Sequence, residues 1–142
     1  MSDLLRPEDL KKITTETEMA KAREALSHME KEKDEGEALR EAFMSRQLHP
    51  EVKQRLNDVV ARAAKNGLRE VTVATFPAAY CNDGGRRINN SEPDWPGSLE
   101  GFAKVAMEYY EKELRPLGYR IGARILDFPG GMPGTVGLFL RW

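Results

Sequence analysis

The stretch CNDGGRRINN, from Cys81 to Asn90, holds the side chains whose types and spacing best suit chemistry. Its first residue is the only cysteine in the chain. A cysteine acts as a nucleophile in its thiolate form, so it needs a nearby base or cation to lower its pKa from about 8.5. Arg86 and Arg87 are the nearest cations, and both histidines lie well upstream. Cys81 is therefore a candidate reactive thiol, but the sequence favours a small, half-buried side chain at a strand end, and no catalytic residue is predicted.

The same stretch also has the residues of an anion site. The amides of Gly84 and Gly85 can curve into a nest, and the guanidinium groups of Arg86 and Arg87 offer paired donors to a phosphate or carboxylate. Asp83–Gly84 is equally a favoured tight-turn pair, so the stretch could be a small hairpin. A turn needs no ligand, and the sequence favours the turn over the anion site.

A second glycine-rich segment, Asp127 to Gly134, repeats part of this pattern. Phe76-Pro77 precedes the first glycine pair and Phe128-Pro129 precedes the second. If the strands that end at these two motifs are parallel, both loops emerge at one edge of the sheet, where ligand sites tend to form. The candidate ligand-binding residues at this edge are Asp83, Gly84, Gly85, Arg86, Arg87, Trp95 and Asp127. No Cys/His spacing resembles a zinc site, and no metal or cofactor is predicted.

The elements that would position these residues follow from hydrophobic periodicity and from start and stop signals. The pattern predicts a helix from Pro50 that ends at Gly67, and a strand from Glu70 to Phe76. It then predicts a helix capped by Ser98, with Trp95 packing back on its first turn, and strands Tyr119–Ile125 and Val136–Trp142. A right-handed parallel crossover leaves room for the last strand to insert antiparallel between the other two. The expected fold class is α+β: a charged helical arm, then α-β-α-β-β with a small three-stranded mixed sheet of order 1-3-2.

The two faces of this sheet are expected to differ. The helices that begin at Pro50 and Ser98 should cover one face. The other face would carry Arg120, Arg124, Phe139 and Arg141 and would be open unless the arm or another subunit covers it. An open face with arginines and one aromatic residue can bind RNA, but no RNA-binding motif is present. Nucleic acid is therefore not an expected partner.

Residues 1–47 form the predicted charged arm, and residues 48–142 the predicted α+β domain. Pro7 suits the first turn of a helix, and Gly36 predicts a kink or a helical hairpin in the charged run that follows. The apolar positions give only a short coiled-coil seam, and a frayed, solvated helix is the alternative. Leu39 and Phe43 stand four apart, so the arm could anchor at that point.

Composition limits the class of protein. The 142 residues carry 22 basic and 23 acidic side chains, so no strong overall field would concentrate nucleic acid or anionic lipid. No apolar run reaches the roughly 20 residues that cross a bilayer, and the N-terminus lacks the apolar core of a signal peptide. We expect a cytoplasmic binding or interaction protein that self-associates, or contacts a protein partner, through the arm. The alternative is a small enzyme or ligand-binding protein that recognises an acidic metabolite at the Cys81–Trp95 loop.

Overall fold

The computed structural model describes residues 4–142. Its helices are α1 (Pro7–Ser45), α2 (Val52–Lys65), α3 (Arg86–Asn89) and α4 (Gly101–Tyr109), and its strands are β1 (Glu70–Pro77), β2 (Arg120–Ile125) and β3 (Thr135–Arg141). The chain divides into two compact units, Met1–Glu41 and Ala42–Trp142. The last turn of α1 therefore belongs to the second unit. Within the described range, no helix is both long enough and apolar enough to span a bilayer.

Helix α1 is one continuous helix of 39 residues, so the predicted kink or hairpin at Gly36 is wrong. Glu8 and Asp9 lie in its first turn, where carboxylates favour the positive end of the helix dipole. An internal glycine costs a helix only about 1 kcal/mol, and the strong helix formers on both sides of Gly36 outweigh it. Every residue from Leu4 to Ala42 is exposed.

The sheet has the order β1-β3-β2, as the sequence predicted. Strand β3 pairs antiparallel with both neighbours, so the two outer strands are parallel to each other without being adjacent. Both pairs of neighbouring strands are consequently antiparallel, so the sheet is antiparallel and not the mixed sheet that the sequence predicted. Val136, Leu138 and Leu140 of β3 are almost completely buried, which fits the central position that the apolar sequence of this strand indicated.

Strand β1 contains a bulge that the sequence analysis did not predict. Its register with β3 shifts between Thr72 and Ala74. The extra residue lets Val73 and Ala74 both pack against the core, and it turns Phe76 inward, where only 3% of its surface is exposed. Strict alternation from Val71 would have placed Phe76 on the opposite face.

Helices α2 and α4 lie over the inner face of the sheet, and α4 starts differently from the prediction. Its N-cap is Glu100, whereas Ser98 ends a short 3-10 turn (Trp95–Ser98) and its hydroxyl donates to the carbonyl of Trp95 at 2.7 Å. The predicted Ser98 cap is therefore wrong. The helix continues into a π-helical turn, Tyr110–Leu114, and the segment ends at Gly118 with φ of 101°.

The last turn of α1 contributes an aromatic cluster to the second unit. The Phe43 ring centroid lies 5.2 Å from that of Phe76 and 4.9 Å from that of Tyr80. Nearby, Gly101 has φ of 56°, and a Cβ there would lie 2.6 Å from the Met44 Cα. Only glycine fits this close approach in this conformation. Phe43 is thus the anchor that the sequence indicated, while Leu39 stays 67% exposed.

The outer face of the sheet is open, as expected, and carries its own charge network. The Phe139 ring lies against the Cα of Gly122, with the guanidinium carbons of Arg124 and Arg141 at 4.0 and 4.9 Å from its centroid. Both guanidinium groups donate to the Glu70 carboxylate, at 3.0 and 2.9 Å. The hydrogen bond from Arg141, with the charge of Arg124, lowers the pKa of Glu70 below its usual value. A single carboxylate thus links two cations across the half-buried Phe139 ring.

Candidate functional site

The candidate loop begins where β1 ends at Pro77. A 3-10 turn, Ala78–Tyr80, leads to Cys81, and helix α3 follows directly after Gly84 and Gly85. Both glycines have positive φ, 69° and 88°. The loop is therefore two helical turns joined by a tight turn, and the small hairpin, the form in which the favoured turn was predicted, is wrong.

The predicted anion cradle is occupied by a side chain of the loop itself. The Asp83 Oδ1 accepts a hydrogen bond from the Gly85 N–H at 3.0 Å, and its Oδ2 accepts one from the Arg87 N–H at 3.0 Å. The N–H of Gly84 donates to the carbonyl of Cys81 at 3.3 Å. The Asp83 carboxylate thereby caps α3 and provides the anion that this backbone conformation favours.

The two arginines of the loop pair with acidic residues close in sequence. The Arg87 Nε lies 3.7 Å from Asp83 Oδ2 and 3.6 Å from Asp94 Oδ2. The Arg86 Nη1 lies 3.4 Å from Glu92 Oε1. Both arginines were predicted to be ligand donors, and their ion pairs with Glu92 and Asp94 were not predicted. Two carboxylates within eight residues of two arginines were a usable signal for such pairs. An external anion would compete with three internal carboxylates here.

Cys81 is buried, with 5% of its surface exposed. Burial, helped by the negative charge of Asp83, raises the pKa of its thiol from the usual 9.0 to about 11. A reactive thiol needs the opposite shift, since the thiolate is the nucleophile. Cys81 packs with Phe76 and Leu99 in the core, which is the small buried side chain that the sequence favoured.

The two glycine-rich loops lie side by side at one edge of the sheet, as predicted. Phe76 and Ile125 both pair with Val136, and the Ala78 N–H donates to the carbonyl of Gly134 at 2.8 Å. A Cβ on Gly85 would lie 3.5 Å from the Cβ of Pro133, so the loops are in contact. Phe128, in contrast to Phe76, is 51% exposed.

Of the remaining two candidate residues, Trp95 lies in the 3-10 turn that packs on α3, and Asp127 lies in the β2–β3 loop. Trp95 is half-buried and packs against the core, in keeping with a role in fixing how the loop enters the next helix. Asp127 closes the β2–β3 loop, where its carbonyl accepts from the Gly134 N–H at 3.0 Å. Among the described residues, no ion pair joins Asp127 to Arg86 or Arg87.

The loop is stabilised by hydrogen bonds and ion pairs between its own charged residues and backbone. Residues 4–142 contain no group of three or more histidine, cysteine or acidic side chains placed to hold a metal ion. Recognition of an acidic metabolite by the Cys81–Trp95 loop stays a prediction, and it would require a ligand that displaces Asp83 or Glu92 from its partners. Comparison of the chain with protein-family models, curated proteins and solved structures found no match.

Proposed function

We propose that the protein is an interaction protein that self-associates through α1. The observation that carries this proposal is the exposure of large apolar side chains along the helix. Met19, Leu26 and Met29 expose 53%, 60% and 65% of their surfaces. In proteins, most helical stability comes from packing of an apolar face, and every residue of α1 up to Ala42 is exposed. A partner helix would bury these side chains.

The spacing of these residues fits a two-stranded coiled coil. With Met19 and Leu26 at heptad position a, Ala22 and Met29 fall at position d. Lys12 and Lys33 occupy the a positions on either side, so the apolar seam extends over two heptads. A seam this short supports weak association that depends strongly on protein concentration.

Charge complementarity favours a parallel, in-register pair of helices. In a parallel coiled coil, a g residue faces the e residue five positions further along the partner helix. This arrangement pairs Lys11 with Glu16 and Glu18 with Arg23, both of opposite charge, against one like-charged pair, Glu32 with Glu37. In an antiparallel pair, g residues face each other, and Glu18 would meet Glu32. The occupant of the seam is therefore a second copy of this chain in parallel orientation.

Sedimentation velocity over a range of protein concentrations tests the proposal. We expect a monomer–dimer equilibrium for the wild-type protein. The variant with Leu26→Glu and Met29→Glu should be monomeric at all concentrations, because charges would replace the centre of the seam. The matched control carries Leu10→Glu and Ile13→Glu, which change exposed apolar residues outside the seam and should leave dimerisation unchanged.

A charge-swap cycle tests the orientation. Glu18→Lys places like charges opposite Arg23 of the partner helix and should weaken the dimer about tenfold, because two symmetric pairs change sign. Adding Arg23→Glu restores opposite charges and should restore the affinity. Residues 18 and 23 are five apart and do not face each other within one helix, so recovery reports a contact between helices. A strictly monomeric wild-type protein, or no recovery in the double variant, would refute this proposal.

A further inference from the structure

An apolar cavity lies between α2, α4 and the inner face of the sheet. It measures about 90 Å³. Val52 and Leu56 line it from α2, Ala106 and Tyr109 from α4, and Leu138 from β3. The lining of an unfilled apolar cavity lacks the contacts that a filled core would make. A ligand with apolar atoms could recover those contacts.

A groove with a different chemistry adjoins the cavity. This groove, of about 280 Å³, shares Leu56 and Tyr109 with the cavity wall. Its outer part is lined by Lys53, Asn57 and Glu113. A cation, an amide and a carboxylate together can both donate to and accept from a neutral polar group, whereas a charged group would meet one repulsive partner.

The wall between cavity and groove is an irregular helical segment. The π-helical turn Tyr110–Leu114 interrupts the regular hydrogen bonding of α4 at this point. Tyr110 is buried, and its hydroxyl donates to the carbonyl of Tyr119 at 2.8 Å, which holds the turn in place. Such single π turns occur mostly inside α-helices and frequently at functional sites. The π-helical turn is evidence independent of the cavity volume, and its residues Tyr110 and Leu114 line the cavity.

We infer that the cavity and groove between α2 and α4 bind a small neutral amphiphile, with its apolar tail in the cavity and its polar head at Lys53, Asn57 and Glu113. An apolar cavity of about 150 Å³ accepts the six carbons of benzene. By the same ratio, a cavity of about 90 Å³ holds a tail of about three to four carbons. This binding site lies apart from the proposed α1 seam, and neither proposal depends on the other.

Methyl NMR with a series of linear alcohols, from ethanol to 1-octanol, tests the inference. The methyl signals of Leu56, Val52 and Leu138 should shift saturably with each alcohol. Affinity should rise about fourfold per added methylene up to 1-butanol and then level off, because further carbons no longer enter the cavity. Butyrate and butylamine should bind more weakly than 1-butanol, since each carries a charge into a groove that holds both signs.

Two variants and one control complete the experiment. Ala106→Phe fills the cavity and should abolish the shifts, whereas Ala61→Phe, on the exposed surface of α2, should retain them. If Ala106→Phe does not fold, Leu56→Ala enlarges the cavity and should move the plateau to tails about three carbons longer. The inference is overturned if no alcohol gives a saturable shift, or if affinity rises without a plateau to 1-octanol. It is also overturned if Leu56→Ala leaves the plateau unchanged, or if the methyl shifts follow protein concentration, which would make a second copy the occupant.

Discussion

The reactivity of Cys81 gives a quantitative test of the candidate loop. Burial raises the pKa of the thiol from the usual 9.0 to about 11. At pH 8, a thiol of pKa 9.0 is about 9% ionised and one of pKa 11 is about 0.1% ionised, so the thiolate fraction falls about a hundredfold. We expect native Cys81 to react with the disulfide reagent DTNB at least a hundred times more slowly than the same thiol in denaturant. Stopped-flow and steady-state absorbance measure both rates.

The same shift predicts how stability depends on pH. Above pH 9 the unfolded state loses the thiol proton while the folded state keeps it, so the unfolded state binds fewer protons and stability falls as pH rises. The rise of the pKa from 9.0 to about 11 corresponds to about 3 kcal/mol of stability, lost progressively between pH 9 and pH 11. Other groups titrate in this range. The difference in unfolding free energy between wild type and Cys81→Ala, from urea titrations at each pH, isolates the contribution of Cys81.

Two results would contradict this reasoning. Reaction of native Cys81 within tenfold of the denatured rate would mean that the thiol is accessible and easily ionised, and it would restore Cys81 as a candidate nucleophile. A wild-type stability that does not decline relative to Cys81→Ala between pH 9 and pH 11 would mean that the folded and unfolded states ionise alike. Either result would contradict the conclusion that burial and the charge of Asp83 keep the Cys81 thiol protonated.

Two further predictions concern the loop and the sheet. Asp83→Ala should lower the unfolding free energy by about 1 to 2 kcal/mol, because two amides lose their acceptor. Asp83→Asn keeps one acceptor oxygen and should lower the unfolding free energy less. Equal stability of the wild type and both variants in urea titrations would show that the carboxylate does not brace the turn. Gly122→Ala should cost about 1 to 3 kcal/mol, because the new Cβ would lie 2.2 Å from the Phe139 ring. Since Phe139→Ala removes that ring, Gly122→Ala should be nearly neutral in its background, and an unchanged penalty there would contradict the contact.

The sheet topology was predictable from the sequence because it follows from rules that act on whole elements. The apolar character of Val136, Leu138 and Leu140 placed the last strand at the centre, and the crossover rule set the order of its neighbours. The bulge in β1 was missed, although the spacing of apolar residues changes from two to three between Val73 and Phe76. That change of period was a local signal for a bulge.

The start of α4 and the conformation of the candidate loop depend on contacts that cannot be read from the sequence. Gly101 adopts its positive φ because Met44, far away along the chain, packs against it. Ser98 fits the composition of an N-cap, but it lies before the helix, which begins at Gly101, and its hydroxyl donates to the carbonyl of Trp95. For the loop, residue types allowed an anion site as the less favoured alternative to a turn. They did not reveal that Asp83 itself would fill it.

The central position of β3 has a consequence for biosynthesis. Both β1 and β2 pair only with β3 within the described sheet, and β3 follows both of them in the chain. Neither strand can gain its ladder partner until translation has passed Arg141. Strand β1, which ends at Pro77, is therefore made long before its partner and stays unpaired until β3 is available, and it is in this interval that a holdase chaperone would have most to protect.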